Sequence, residues 1–108
     1  MLAIQSDLDG IVSAIKDLLP NAKVYLFGAY ANGEYGGDSD LDLCIVAPSF
    51  NARRADIRFM IRNAIKDKTR LPLDILAFTS EEFEERAKSR STLQYTVHNK
   101  GILLNEQH

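Results

Sequence analysis

Residues 27–47 read FGAYANGEYGGDSDLDLCIVA, a connection with four glycines and four acidic residues that runs straight into an apolar strand. An ordinary hairpin needs only one or two special residues to turn, so this segment constrains the fold more than any other. AKVYLFG on its near side and LDLCIVA on its far side both have the composition of strands. No crossover helix of normal length fits between them, which predicts antiparallel pairing. In LDLCIVA, alternation puts Leu41, Leu43 and Ile45 on one face and Asp42, Cys44 and Val46 on the other. An acid therefore stands on a face that is otherwise apolar. LPLDILAF repeats the anomaly at Asp74, in a third strand that can lie beside the second.

The remaining segments supply helices. Leu8, Ile11, Val12, Ile15, Leu18 and Leu19 have the spacing of a helix with one buried face, with Ser6 as its expected cap, Asp9 three residues on, and Pro20 at its end. A second helix is expected from Asn51 to about Lys68, with Ala55, Ile57, Met60, Ile61, Ala64 and Ile65 turned inward. Pro72 separates it from the third strand, and Ser80 with Glu81 and Glu82 marks another helix start. A last helix runs through Leu93, Tyr95, Thr96 and Val97, and the closing ILL after Gly101 reads as a short strand or packed tail. This order predicts a small α/β or α+β domain, residues 1–108 forming one unit, with a mixed sheet flanked by helices that cover one side.

Composition narrows the function classes. At 108 residues and 45% hydrophobic content, the chain can build one core that buries about two-thirds of its unfolded surface. No apolar run approaches the roughly 18 to 20 residues of a membrane span, and Met1 to Leu19 lacks the pattern of a secretory leader. The single Cys44 cannot close an internal disulfide, which fits a cytoplasmic location. Residues 1–50 carry a local charge of −5 and residues 51–70 one of +5, within a net charge of −2. This near-neutral mean gives no ground for direct nucleic-acid binding, whereas the asymmetry can orient an anionic ligand or an acidic protein partner. Apolar residues on the last helices leave self-association into a homo-oligomer open.

The loop carries the chemistry. Gly28 ends the first strand and AYAN after it can form one helical turn, whose leading amides attract phosphate. Gly33, Gly36 and Gly37 allow the chain to reverse and to approach a ligand closely. Asp40 and Asp42, two residues apart, project to the same side and can share one divalent ion or a pair of ions. Magnesium takes such hard oxygen ligands and commonly links them to substrate phosphates. Asp74 is the third candidate ligand. The competing reading is that Gly and Asp are ordinary turn residues, and it fits Asp38 better than the others. His98 and His108 receive no catalytic role.

These residues resemble the minimal nucleotidyltransferase domain of the DNA polymerase beta-like superfamily. Its signature is Gly-Ser, a spacer of about ten residues, and Asp-x-Asp in the next strand. Here Gly28 and Ala29 hold the first position, residues 30–39 form the spacer, and Asp40 with Asp42 form the acidic pair. Ala31, Gly33, Ser39, Leu41 and Leu43 meet the fuller pattern, and the closing Gly101-Ile-Leu-Leu also agrees. The resemblance implies that Asp40, Asp42 and Asp74 are catalytic and bind Mg2+, as two ions. It further implies that Gly28, Ala29, Asn32, Gly33 and Ser39 contact the nucleotide. The family usually has Ser where this chain has Ala29, and often a basic residue where it has Asn32.

The smallest members of the superfamily resemble the antitoxins of two-gene modules whose toxin is a small all-helical HEPN-type RNase. That likeness implies transfer of AMP from ATP to a tyrosine of the toxin, with Arg53, Arg54, Arg58 and Arg62 available to contact it. Two alternatives stay open: a degenerate antitoxin-like protein that acts by contact alone, and a transferase for a small molecule such as an aminoglycoside.

Overall fold

A computed structural model of the protein describes residues 4–105. The terminal His108 noted in the sequence lies outside the described residues. A four-stranded mixed sheet has the order β3-β2-β1-β4, built from β1 (Lys23–Phe27), β2 (Leu41–Ala47), β3 (Leu73–Thr79) and β4 (Ile102–Leu103). As the short connection requires, β1 pairs antiparallel with β2, with Phe27 opposite Asp42. The β2 and β3 strands are joined through α3 (Arg54–Ile65), a crossover that permits their parallel pairing. The order of elements and the mixed sheet flanked by helices agree with the sequence expectation.

The sheet is covered on both faces rather than one. Leu41, Leu43, Ile45 and Ala47 of β2 pack with Leu8, Ile11 and Ile15 of α1 (Gln5–Leu18) and with Ile57, Ile61 and Ile65 of α3. On the opposite face Cys44 and Val46 pack with Phe83 of α4 (Ser80–Arg86) and Val97 of α5 (Leu93–Lys100). This explains why β2 reads as a nearly continuous apolar run, since a central strand covered on both sides has no solvent face. Burial at Cys44 pushes its thiol up to about 12, so it behaves as a small apolar core residue.

Several boundaries differ from expectation for local reasons. The first helix begins at Gln5 after Ile4, and Ser6 lies inside its first turn. Asp9, three residues after Ser6, accepts instead from Gln5 Nε2 at 2.9 Å. The α3 helix is shorter at both ends than the segment from Asn51 to Lys68, and its buried stripe is Ile57, Ile61 and Ile65. Ala55 is exposed, and Met60 and Phe59 are 41% and 64% exposed, so the inward face is narrower than the apolar composition suggested. Thr79, not Ser80, caps α4: its hydroxyl accepts from the Glu82 amide while Glu82 returns a bond to the Thr79 amide.

Within the C-terminal ILL, Ile102–Leu103 form a short strand at the β1 edge. Leu104 donates to Val24 at 2.8 Å, and the Asn105 amide continues the ladder by accepting from Val24 N–H at 2.9 Å and donating to Ala22 O at 2.8 Å. Gly101 makes the approach feasible, because a Cβ there would lie 2.5 Å from Val97 O and 3.2 Å from Leu26 O. Among the described residues no helix is long and apolar enough to cross a membrane.

Candidate active site

Strand register brings the anomalous acids together. Asp42 sits opposite Asp74 in the parallel β2–β3 pair, and Leu41 N–H donates to Pro72 O at 2.8 Å, which extends that pairing toward Asp40. Asp42 and Asp74 stand on the face of Cys44 and Phe78, at the end that α4 and α5 leave uncovered. Asp40 lies just before β2 and Asp74 is also exposed, while Asp42 is half-buried. Burial, the nearby charges of Asp74 and then Asp40, and a hydrogen bond with Asp74 push the Asp42 carboxyl from 3.8 up to about 6. The three acids therefore form one electrostatic group centred on Asp42.

Gly28 completes this group from the other side of β2. It follows Phe27, the partner of Asp42, and has φ 76° and ψ −152°, a conformation that only glycine adopts readily. A Cβ on Gly28 would fall 2.1 Å from Asp42 Oδ2 and 3.0 Å from its Cγ. The glycine is thus required twice, by its backbone angles and by the carboxylate lying against it. The expected helical turn follows as α2 (Ala29–Asn32), closed by Gly33 with φ 75°. Asn32 N–H donates to Gly28 O at 3.1 Å, whereas the amides of Ala29, Tyr30 and Ala31 have no partner inside so short a helix.

The rest of the glycine-rich loop is organised differently from the sequence expectation. Of its later glycines, only Gly33 has a positive φ; Gly36 and Gly37 do not. Ser39 accepts at Oγ from the Gly36 amide at 2.9 Å, and its own amide donates to Gly36 O at 3.2 Å. Its hydroxyl is thereby engaged in shaping the turn. Sequence reasoning missed the stack of Tyr30 on Tyr35, with centroids 4.5 Å apart and rings within 9° of parallel. The two tyrosines flank Gly33, so an aromatic pair across the turn was the available signal.

The proposed donors have suitable chemistry for a hard cation, being carboxylates whose mutual repulsion a cation would relieve. Among the described residues, no group of three or more His, Cys, Asp or Glu side chains is closed into a metal-binding cluster. The arginines of α3 are partly engaged elsewhere. Arg53 pairs with Asp56 at 3.2 Å, Arg54 pairs with Glu82, and Arg62 donates to Leu73 O at 3.1 Å. His98 is exposed near the end of α5, its ring 6.4 Å from that of Phe83.

Residues 8–99 match the nucleotidyltransferase domain family. The chain belongs to that family. Its architecture is the polymerase beta-like nucleotidyltransferase fold, and it is structurally similar to toxin–antitoxin nucleotidyltransferases. A toxin–antitoxin structure with AMP-PNP aligns with TM-score 0.59 and 22% identity, covering 93% of this chain and 73% of that one. A mutant of the toxin–antitoxin MntA-HpeT aligns with TM-score 0.59, 18% identity and the same coverage, 93% and 73%. A Sulfolobus solfataricus protein described as a nucleotidyltransferase gives TM-score 0.55 and 22% identity over 95% of this chain and 86% of that one. At these identities the structural likeness concerns the fold. Comparison with curated proteins gives no match.

Proposed function

We propose that this nucleotidyltransferase-family protein transfers AMP from ATP to a tyrosine hydroxyl of a small all-helical HEPN-type toxin, which neutralises the toxin. The observation that carries the reading is the Asp42–Asp74 register beside Gly28, with the Asp42 carboxyl raised to about 6 by burial and its acidic neighbours. Such a pair destabilises the empty sheet end and gains a role once a divalent cation is held there. Asp40, Asp42 and Asp74 would hold Mg2+, which when bound neutralises charge at the attacking and leaving oxygens.

The chain's own residues divide the remaining work. Asp42 is mostly ionised at neutral pH, since that is above its value of about 6. Asp74, exposed at the outer strand, is the group available to accept the proton of the acceptor hydroxyl. The Gly28 and Ala29 amides bind the outer phosphates, with Asn32 and Gly33 bordering them and Ser39 holding the loop's shape. The acceptor oxygen attacks the α-phosphorus in line, a new P–O bond forms, and the bond to pyrophosphate breaks. Likeness to toxin–antitoxin structures, one of them with AMP-PNP, supports the choice of partner and nucleotide class.

A second reading, neutralisation by contact alone, is favoured by one feature: Ala29 lacks the hydroxyl usual in the family. The two are separated by titrating ATP calorimetrically with Mg2+ and with EDTA, followed by mass spectrometry of a HEPN-type partner incubated with ATP. The transferase reading expects Mg2+-dependent binding and an AMP adduct on tyrosine, both lost in Asp40→Asn/Asp42→Asn. An unmodified partner that still binds and is inhibited equally by the double variant would establish the contact reading instead.

A further inference from the structure

A cavity lies away from the acids, at the opposite end of β3, where Phe78 is four residues beyond Asp74 and so roughly 13 Å along the strand. Its volume of about 470 Å³ is in the range of small-molecule sites. Gln94 of α5 lines it and is only 7% exposed, yet among the described residues its side-chain amide has no hydrogen-bond partner. No buried side-chain nitrogen or oxygen lacks a partner among the described residues, so the Gln94 amide is reached from the cavity. Water in the cavity can satisfy this carboxamide, and a ligand that offers a matching donor and acceptor can take the water's place.

The other walls define what that occupant is. The Arg54 guanidinium lies over the Phe78 ring, its Cζ 5.9 Å from the ring centre, so a planar ligand ring would stack on the outer side of this pair. Both glutamates of the lining are neutralised, Glu82 by Arg54 and Glu85 by Lys88 at 3.2 Å. Arg86, exposed at the rim, has no carboxylate partner among the described residues and is the free cation of the cavity. A carboxamide matches a ring edge that offers a donor beside an acceptor. Adenine has this edge at N6 and N7, whereas guanine offers two acceptors there and suits Arg or Lys better.

We infer that this cavity is a second, non-catalytic site for an adenine nucleotide, with the base edge read by Gln94 and the phosphate held by Arg86. It does not depend on the proposed transferase chemistry, because none of its residues belongs to the acidic group.

The test is a titration of AMP into the isotopically labelled protein in EDTA, followed by NMR at the Gln94 side-chain amide and the residues around it. Expected are saturable shifts there, weakened roughly tenfold or more by Gln94→Leu, the scale of one lost bidentate contact. Arg86→Ala, at an exposed position that leaves the core alone, should weaken AMP but not adenosine. Shifts confined to residues 28–42 and 74 would overturn the inference, as would an equal response to GMP. No response at Gln94 up to about 10 mM, the limit of meaningful affinity for such a ligand, would overturn it as well.

Discussion

Replacing Asp74 with Asn should stabilise the metal-free protein at neutral pH although it removes a group proposed to be catalytic. The native carboxyl of Asp42 is raised from 3.8 to about 6, first by burial and next by the charge of Asp74. Between those values the folded chain holds a proton that the unfolded chain has lost. Stability therefore falls as pH rises from about 4 to about 6, and the loss persists above it. Two units correspond to about 3 kcal/mol at full strength, but the site reaches solvent, so screening leaves about 1 to 2 kcal/mol for all causes together. The share from Asp74 is then about 0.5 to 1 kcal/mol, removed by an Asn of the same shape. Urea unfolding of wild type and Asp74→Asn at pH 4 and pH 7.5, in EDTA, measures it. The expected gain is present at pH 7.5 and nearly absent at pH 4. Adding Mg2+ should reverse the order, because the wild type holds the ion with all three carboxylates and gains more from it than the variant, which keeps two. A variant destabilised equally at both pH values would refute the claim that the two carboxylates repel across the β2–β3 register.

Three further outcomes test other parts of the structure. Gly28→Ala forces a Cβ to within 2.1 Å of Asp42 Oδ2 at a φ of 76°, so it should lower stability by about 2 kcal/mol or more in thermal unfolding and displace Asp42. Ala29→Ser restores a hydroxyl beside the proposed phosphate position and should tighten Mg–ATP binding by roughly tenfold, the scale of one hydrogen bond to a charged group, with no change in melting temperature. Thr79→Val removes the α4 cap and its reciprocal bond with Glu82, costing about 1 kcal/mol by urea unfolding and leaving Mg–ATP binding at the acidic group unchanged.

Where one periodicity dominated, the sequence was readable. Alternation in LDLCIVA and LPLDILAF exposed Asp42 and Asp74 as misplaced acids, and the parallel register then made them neighbours. The antiparallel β1–β2 pairing followed from the length of the connection alone. What escaped was decided by contacts between distant segments. Covering of the second face depends on Phe83 and Val97 reaching Cys44 and Val46, which no local pattern in α4 or α5 announces. Met60 and Phe59 are apolar yet exposed, because the width of the α3 stripe is set by the elements it packs on and not by its own composition. In the loop, glycine content overstated the need for unusual backbone angles: Gly36 and Gly37 take ordinary ones, and the Tyr30–Tyr35 stack and the Ser39 turn do part of the shaping.

The topology accounts for the place of the acidic group. β2 is the strand flanked on one side by an antiparallel partner and on the other by a parallel one. Its first residues therefore meet the end of β1, where the chain leaves through Gly28, and also the start of β3, where Asp74 stands. Only that end of β2 can gather a turn with free amides and two carboxylates on one open face. Moving Asp42 by one residue would turn its carboxylate to the α1–α3 core, among Leu41, Leu43 and Ile45, where neither Gly28 nor Asp74 could meet it. The same β1–β2 register that fixes the core thus fixes the site. A substitution that slips it would abolish both, whereas Asp74→Asn separates them.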